Sequence, residues 1–300
     1  MHLRTATVTL AALTLHLSQG ATGPARGEAA AAAPAAAGAS ACDHQHFRTI
    51  VDVGHTVGKG GAKSARGVDE YEFNLRLAKQ IEQKLLAAGF ERTVLLITAE
   101  APRAGLFKRV ARANAMTADL FLSIHHDAVP DGFLQKWQYE GHEHGYSDRF
   151  HGHSIFISKD NPNLGRSLLF GKLLGDQLKA RGLIYTPHYT EKFMGHWRHA
   201  LVDAEAGVYR YDQLVVLRST RMPAVLLEAG SIINRDEELE LGTPERQALT
   251  TDAVADAVES FCGSRARPNP GPPAAPARAK VARHAAKPAA AAPGTTSTRP

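Results

Sequence analysis

Four side chains in this sequence are of the types that hold and use a catalytic metal. His55 closes the stretch Asp52-Val53-Gly54-His55, and His125 stands in Ser123-Ile124-His125-His126-Asp127. Glu228 lies in Leu226-Leu227-Glu228-Ala229-Gly230, and Glu70 opens a helical pattern. Two imidazoles and one carboxylate form the ligand set of a catalytic zinc, whose fourth position stays open for water. Zinc lowers the pKa of that water to about 7, and a separate carboxylate can move its proton to a leaving nitrogen. His55, Glu70 and His125 are therefore candidate ligands of one zinc ion per chain, and Glu228 is the candidate acid/base. Plainer readings exist. A histidine after a strand is often only a satisfied polar residue, and a glutamate in a first helical turn suits the helix dipole. Glu72, two residues past Glu70, points to another helix face and is a weaker ligand candidate.

These groups need elements to position them. Apolar runs of β type occur at residues 49–53, 93–98, 119–124, 153–158, 214–217 and 224–227. Helical patterns cover residues 69–88, 106–117, 164–181 and 244–261. In the first of these, Leu77, Ile81 and Leu85 fall four apart on one face, and Gly89 supplies the stop. Continuously apolar strands separated by amphipathic helices predict an α/β fold: an open, mostly parallel twisted sheet of about six strands sandwiched between helices, in a single catalytic domain. Ligands of such sheets bind outside the carboxyl ends of the strands. His55, His125 and Glu228 all follow strands at that edge, and the helix that Glu70 opens begins there.

Five motifs in order carry a family resemblance: Asp52-Val53-Gly54-His55; Glu70 with Asn74 and Leu75; Arg109 with Ala113 and Asn114; Ser123-Ile124-His125; and Met222 to Gly230 with Asn234. Residues 47–262 resemble the zinc-dependent N-acetylmuramoyl-L-alanine amidases of the amidase-3 type, the cell-separation amidase family. The resemblance implies one zinc held by His55, Glu70 and His125, with Glu228 catalytic. It implies peptidoglycan as substrate, cut between the lactyl group of N-acetylmuramic acid and the L-alanine of the stem peptide. The sequence departs from the family pattern in three places. Thr56 stands where a glycine is common, His126 where a small residue is usual, and Ser231 follows Gly230 where an aromatic is usual. Strand alternation lets only one of His125 and His126 face a metal, and the family match selects His125.

The chain of 300 residues carries a net charge of +5. A mild basic excess favours an anionic surface or polymer without choosing among them; peptidoglycan, rather than nucleic acid, is the partner the motifs imply. Residues 1–21 read as a signal peptide, 22–46 as an Ala/Gly/Pro linker, and 263–300 as a disordered basic Ala/Pro tail with Arg265, Arg267, Arg278, Lys280, Arg283 and Lys287. The leading apolar run is short for a membrane span, so export to the periplasm or cell envelope is expected, with no span in the mature chain. Cys42 and Cys262 bracket the domain and are either bridged or two free thiols.

Two segments keep two readings each. His142, His144, His151 and His153 lie in a stretch readable as a substrate loop, a second metal site or a plain surface insertion. Residues 185–211, with Glu191, Trp197 and Glu205, are a long insertion that could form a lid displaced by an activator protein. The alternative functions are a zinc peptidase or carboxypeptidase acting within wall peptides, and a non-catalytic wall-binding module.

Overall fold

The computed structural model describes residues 42–99 and 102–264. The expected signal peptide, the linker up to residue 41 and the basic tail from residue 265 onward lie outside the described residues. The strands are β1 (Thr49–Val53), β2 (Val94–Leu96), β3 (Leu120–Asp127), β4 (Gln135–Tyr139), β5 (His142–Tyr146), β6 (Ser154–Ile157), β7 (Ala200–Asp203), β8 (Val208–Arg210) and β9 (Ala224–Ser231). The helices are α1 (Glu70–Ala87), α2 (Pro102–Met116), α3 (Leu164–Ala180), α4 (Val215–Ser219), α5 (Arg235–Leu241) and α6 (Pro244–Gly263).

Seven strands form one sheet in the order β2-β1-β3-β9-β6-β8-β7, and β4 and β5 form a separate hairpin. The pairs β2–β1, β1–β3, β3–β9 and β6–β8 are parallel; β9–β6 and β8–β7 are antiparallel. The expected mostly parallel α/β sheet is thus present, with one strand more than the apolar runs suggested. Alternation sorts the side chains to two faces. Val51, Leu122, Ile124, Val225 and Leu227 pack against α1, α3 and α6. Ile50, Phe121, Phe156, Leu226 and Tyr209 pack against α2 and α4. On α1, Leu77, Ile81 and Leu85 face the first of these cores, as their spacing predicted. Each such side chain, fully buried, contributes roughly 1.5–3 kcal/mol. Capping fixes the last two helices: Asn234 Oδ1 accepts from the Asp236 and Glu237 amides at α5, and Thr243 Oγ1 accepts from the Arg246 amide before Pro244 at α6.

One expected strand is a helix. Residues 214–217 lead into α4, where Val216 and Leu217 are buried against the sheet while Leu214 and Val215 stay partly open. A four-residue apolar run does not distinguish a strand from one buried helical turn. Thr220 Oγ1 donates to the Val216 carbonyl and Asn161 Nδ2 to the Leu217 carbonyl, which satisfies the end of that turn.

Cys42 and Cys262 are bridged, with their Cα atoms 5.1 Å apart and 220 residues between them in sequence. Phe47 meets both Phe90 and Phe261, the latter next to the bridge, at the edge where β1 begins. The covalent tie shortens the unfolded chain's freedom over a long loop. The Cys42→Ser/Cys262→Ser double variant should lose about 2–5 kcal/mol of stability in urea denaturation. An unchanged midpoint would show that the bridge contributes nothing to the fold.

Candidate metal centre

The carboxyl edge of the sheet gathers the predicted ligands. Glu70 Oε2 lies 2.7 Å from His55 Nε2, and Glu70 Oε1 lies 2.9 Å from His125 Nδ1. One ligand atom from each of the three residues falls within 4.8 Å of the others. Glu70 is 4% exposed. Burial pushes its carboxyl up, but the two imidazole hydrogen bonds outweigh this and hold it well below the usual carboxylate range. Burial pushes the His125 imidazole down against the pull of Glu70, which favours the neutral ring with a free lone pair. An ionised carboxylate beside two imidazoles suits a zinc ion.

The local backbone keeps space for this convergence. A Cβ on Gly54 would lie 2.5 Å from the His125 ring, and one on Gly61 would meet both Glu70 Oε2 and the His55 ring at 2.5 Å. His55 itself is left-handed, with φ 64°. That conformation costs a non-glycine residue roughly 1–3 kcal/mol and needs outside support. Arg109 on α2 supplies it: its Nη2 donates to the His55 carbonyl, while Nε and Nη1 face Asp52 at 3.1 and 3.3 Å. Ser123 Oγ donates to Asp52 Oδ2 at 2.7 Å. Burial pushes Asp52 up to about 6, against the opposing pulls of Arg109 and Ser123.

Alternation separates the adjacent histidines. His125 faces Glu70, whereas His126 Nδ1 meets Asn74 Oδ1 at 2.8 Å, and Asn74 Nδ2 donates to Glu70 Oε1 at 3.1 Å. His126 thus steadies the carboxylate from behind. Glu72 is exposed and takes no part. Among the described residues, His142, His144, His151 and His153 join no metal-holding cluster. His142 and His144 sit on the hairpin, where His144 packs over Gly67, and His153 is buried beneath the sheet edge.

Glu228 pairs directly with His125 in the β3–β9 register, on the same face. Its Oε2 is buried and has no hydrogen-bond partner. Burial, then the nearby charges of Asp127 and Glu70, push its carboxyl well above the usual range. Asp127 is held by Tyr189, whose hydroxyl donates to Asp127 Oδ1 at 2.7 Å. No local pattern marks this pair in the sequence. Tyr189 lies in the insertion at 185–211, which does more than cover a surface: β7 and β8 complete the sheet beside β6.

The family model described as N-acetylmuramoyl-L-alanine amidase matches residues 49–260. The chain belongs to the N-acetylmuramoyl-L-alanine amidase family. It is 28% identical over 236 residues to the amidase AmiA of Escherichia coli, covering 71% of this chain and 75% of that one. Its fold is similar to the crystal structure of the amidase Ami1 from Mycobacterium smegmatis, with TM-score 0.56 and 19% identity over 74% of this chain and 99% of that one. The amidase of Clostridium difficile 630 gives TM-score 0.53 at 19% identity, over 73% of this chain and 98% of that one.

The family motifs that hold no candidate ligand act on the scaffold. Asn114 donates to the Ser219 carbonyl and accepts from the Arg221 amide, fixing the approach to β9. Asn234 Nδ2 reaches the carbonyls of Asp148 and Phe150. Arg109→Met should cost about 3–5 kcal/mol in urea denaturation, because it strands the buried Asp52 charge. Adding Asp52→Asn should recover part of that loss; no recovery would mean the pair is not what holds this corner. Burial also pushes His126 down to about 3. Its folded pKa lies below the unfolded value, so its contribution is intact above about pH 6.5 and is lost as the unfolded chain takes up the proton at lower pH. The stability of His126→Gln should therefore fall less than wild type between about pH 7 and about pH 4. Equal falls would exclude His126 as a source of acid sensitivity.

Proposed function

We propose that this chain is an exported, zinc-dependent hydrolase of peptidoglycan that cuts the amide between N-acetylmuramic acid and L-alanine. The convergence of His55, Glu70 and His125 on one face, with Glu228 alongside His125, carries this reading. His55, Glu70 and His125 would hold the ion, and glycines 54 and 61 leave the room its ligands need. Zinc in such a site acidifies water and polarises a carbonyl.

The chain's own residues supply the proton movement. Glu228 accepts a proton from the attacking water as the new C–O bond forms at the lactyl carbonyl. It then gives that proton to the alanine nitrogen as the C–N bond breaks, leaving a lactyl carboxylate and a free stem peptide. Its shelter from water and its position beside His125 suit a group that must hold a proton between the two events. Asn74 and His126 keep Glu70 in place during the reaction. Arg109 keeps the His55 backbone fixed.

The Cys42–Cys262 bridge supports a compartment outside the cytosol, because such bonds persist in oxidising surroundings. No helix among the described residues is long and apolar enough to cross a membrane. An activator acting through residues 185–211 would have to work against the Tyr189–Asp127 hydrogen bond, which ties that segment to the floor of the site.

Glu228→Gln should lower turnover of purified peptidoglycan by at least about a hundredfold while zinc content stays at one ion per chain. Mass analysis of the digest should show free stem peptides, absent after chelation and restored by zinc. Cuts found only within the stem would instead favour the peptidase reading. Turnover surviving in Glu228→Gln would refute the proton-transfer role.

A further inference from the structure

A cavity of about 340 Å³ opens from the His55 and His125 imidazoles along the face covered by α2 and α4. Leu106, Leu214, Val215, Val216 and Leu226 make most of it aliphatic. Arg109 also lines it, but its charge is already engaged by Asp52. Three other polar residues interrupt the apolar lining: Thr56, Lys59 and Gln213, of which Lys59 alone carries a charge.

Thr56 is 4% exposed, and its Oγ1 has no hydrogen-bond partner. A buried hydroxyl left unpaired costs roughly 1–3 kcal/mol, so it is normally kept for a ligand or water. It is also one of the places where the sequence departs from the family's usual glycine. Lys59 is exposed, and among the described residues no carboxylate lies at ion-pair distance from it. The two residues are held side by side. Lys59 N donates to the Thr56 carbonyl at 3.1 Å and Thr56 N to the Lys59 carbonyl at 3.4 Å, across a turn with Gly58 at φ 82°.

The chemistry of the substrate decides which side of the scissile bond fits. On the sugar side, the muramic carboxyl is consumed in the amide, leaving hydroxyls and an acetamide. On the peptide side, alanine offers a methyl group. The next residue, a D-glutamate joined through its side chain, presents its α-carboxyl as acid or as amide. An aliphatic cavity that carries an unpaired hydroxyl and a cation in its wall complements the peptide side. We propose that this cavity receives the stem peptide and that Thr56 and Lys59 read the α-carboxyl of its second residue, favouring the carboxylate over the carboxamide. The proposal rests on the amidase reading.

The test uses two muramyl peptides that differ only in carrying D-glutamate or D-isoglutamine at the second position. Wild type should prefer the acid by about tenfold in kcat/KM, mainly through KM. Lys59→Ala should erase that preference and Lys59→Glu should reverse it. Thr56→Val should weaken the acid's KM while leaving zinc content unchanged. Calorimetric titration with the dipeptide L-alanyl-γ-D-glutamate and with its amide should give the same ranking without turnover. A wild type that treats acid and amide alike, or a preference that survives in Lys59→Glu, overturns the proposal. If neither muramyl peptide is cut but the dipeptides still rank according to residue 59, the amidase reading fails and the subsite stands.

Discussion

Glu70 lies almost wholly out of water, with each carboxylate oxygen against a different imidazole. A buried charge is tolerated only where hydrogen bonds surround it. Here the donors come from separate parts of the chain: the loop after β1, the end of β3, and Asn74 one turn along α1. The Ala62 and His126 amides add two more, at 3.2 and 3.4 Å. The loop geometry between β1 and α1 follows from this demand. Gly61 must be a glycine because a side chain would strike Glu70 and His55 together. His55 must turn left-handed to reach the carboxylate, and the Asp52–Arg109 pair beneath it steadies that turn.

Much of this is legible in the sequence. A period-two strand forces neighbouring side chains to opposite faces, so His125 and His126 could not share a task. The structure gives the second histidine its own, the Asn74 contact. The parallel register of β3 and β9 sets His125 beside Glu228, which follows from both lying just past the apolar centre of their strands. The long helices were equally plain, because α1, α3 and α6 repeat apolar residues at helical spacing.

Short and edge elements were not legible. β7 and β8 span four and three residues, too few for alternation to stand out. The β4–β5 hairpin carries its aromatic residues on one face, but it is held by cation–π contacts that sequence does not announce. Arg235 lies 4.0 Å from the Tyr146 ring centroid, and Arg66 lies 5.4 Å from that of Trp137. Asp127 and Tyr189 are 62 residues apart, and nothing local links an acid after a strand to a tyrosine in an irregular insertion. The difficulty is general: a pattern within one element is local, whereas a contact between elements exists only after the chain has folded.

The bridge between Cys42 and Cys262 turns the domain into a closed ring whose seam lies at the edge where β1 starts. The candidate metal centre lies at the other end of the strands. Residues 42 and 262 are therefore held together at the pole of the domain facing away from the chemistry. A leash fixed there, at either terminus, would let the domain swivel about a single anchorage while the catalytic rim still faces a large, immobile polymer. For an enzyme that cannot draw its substrate in and must instead approach a meshwork, the placement of the seam sets the reach.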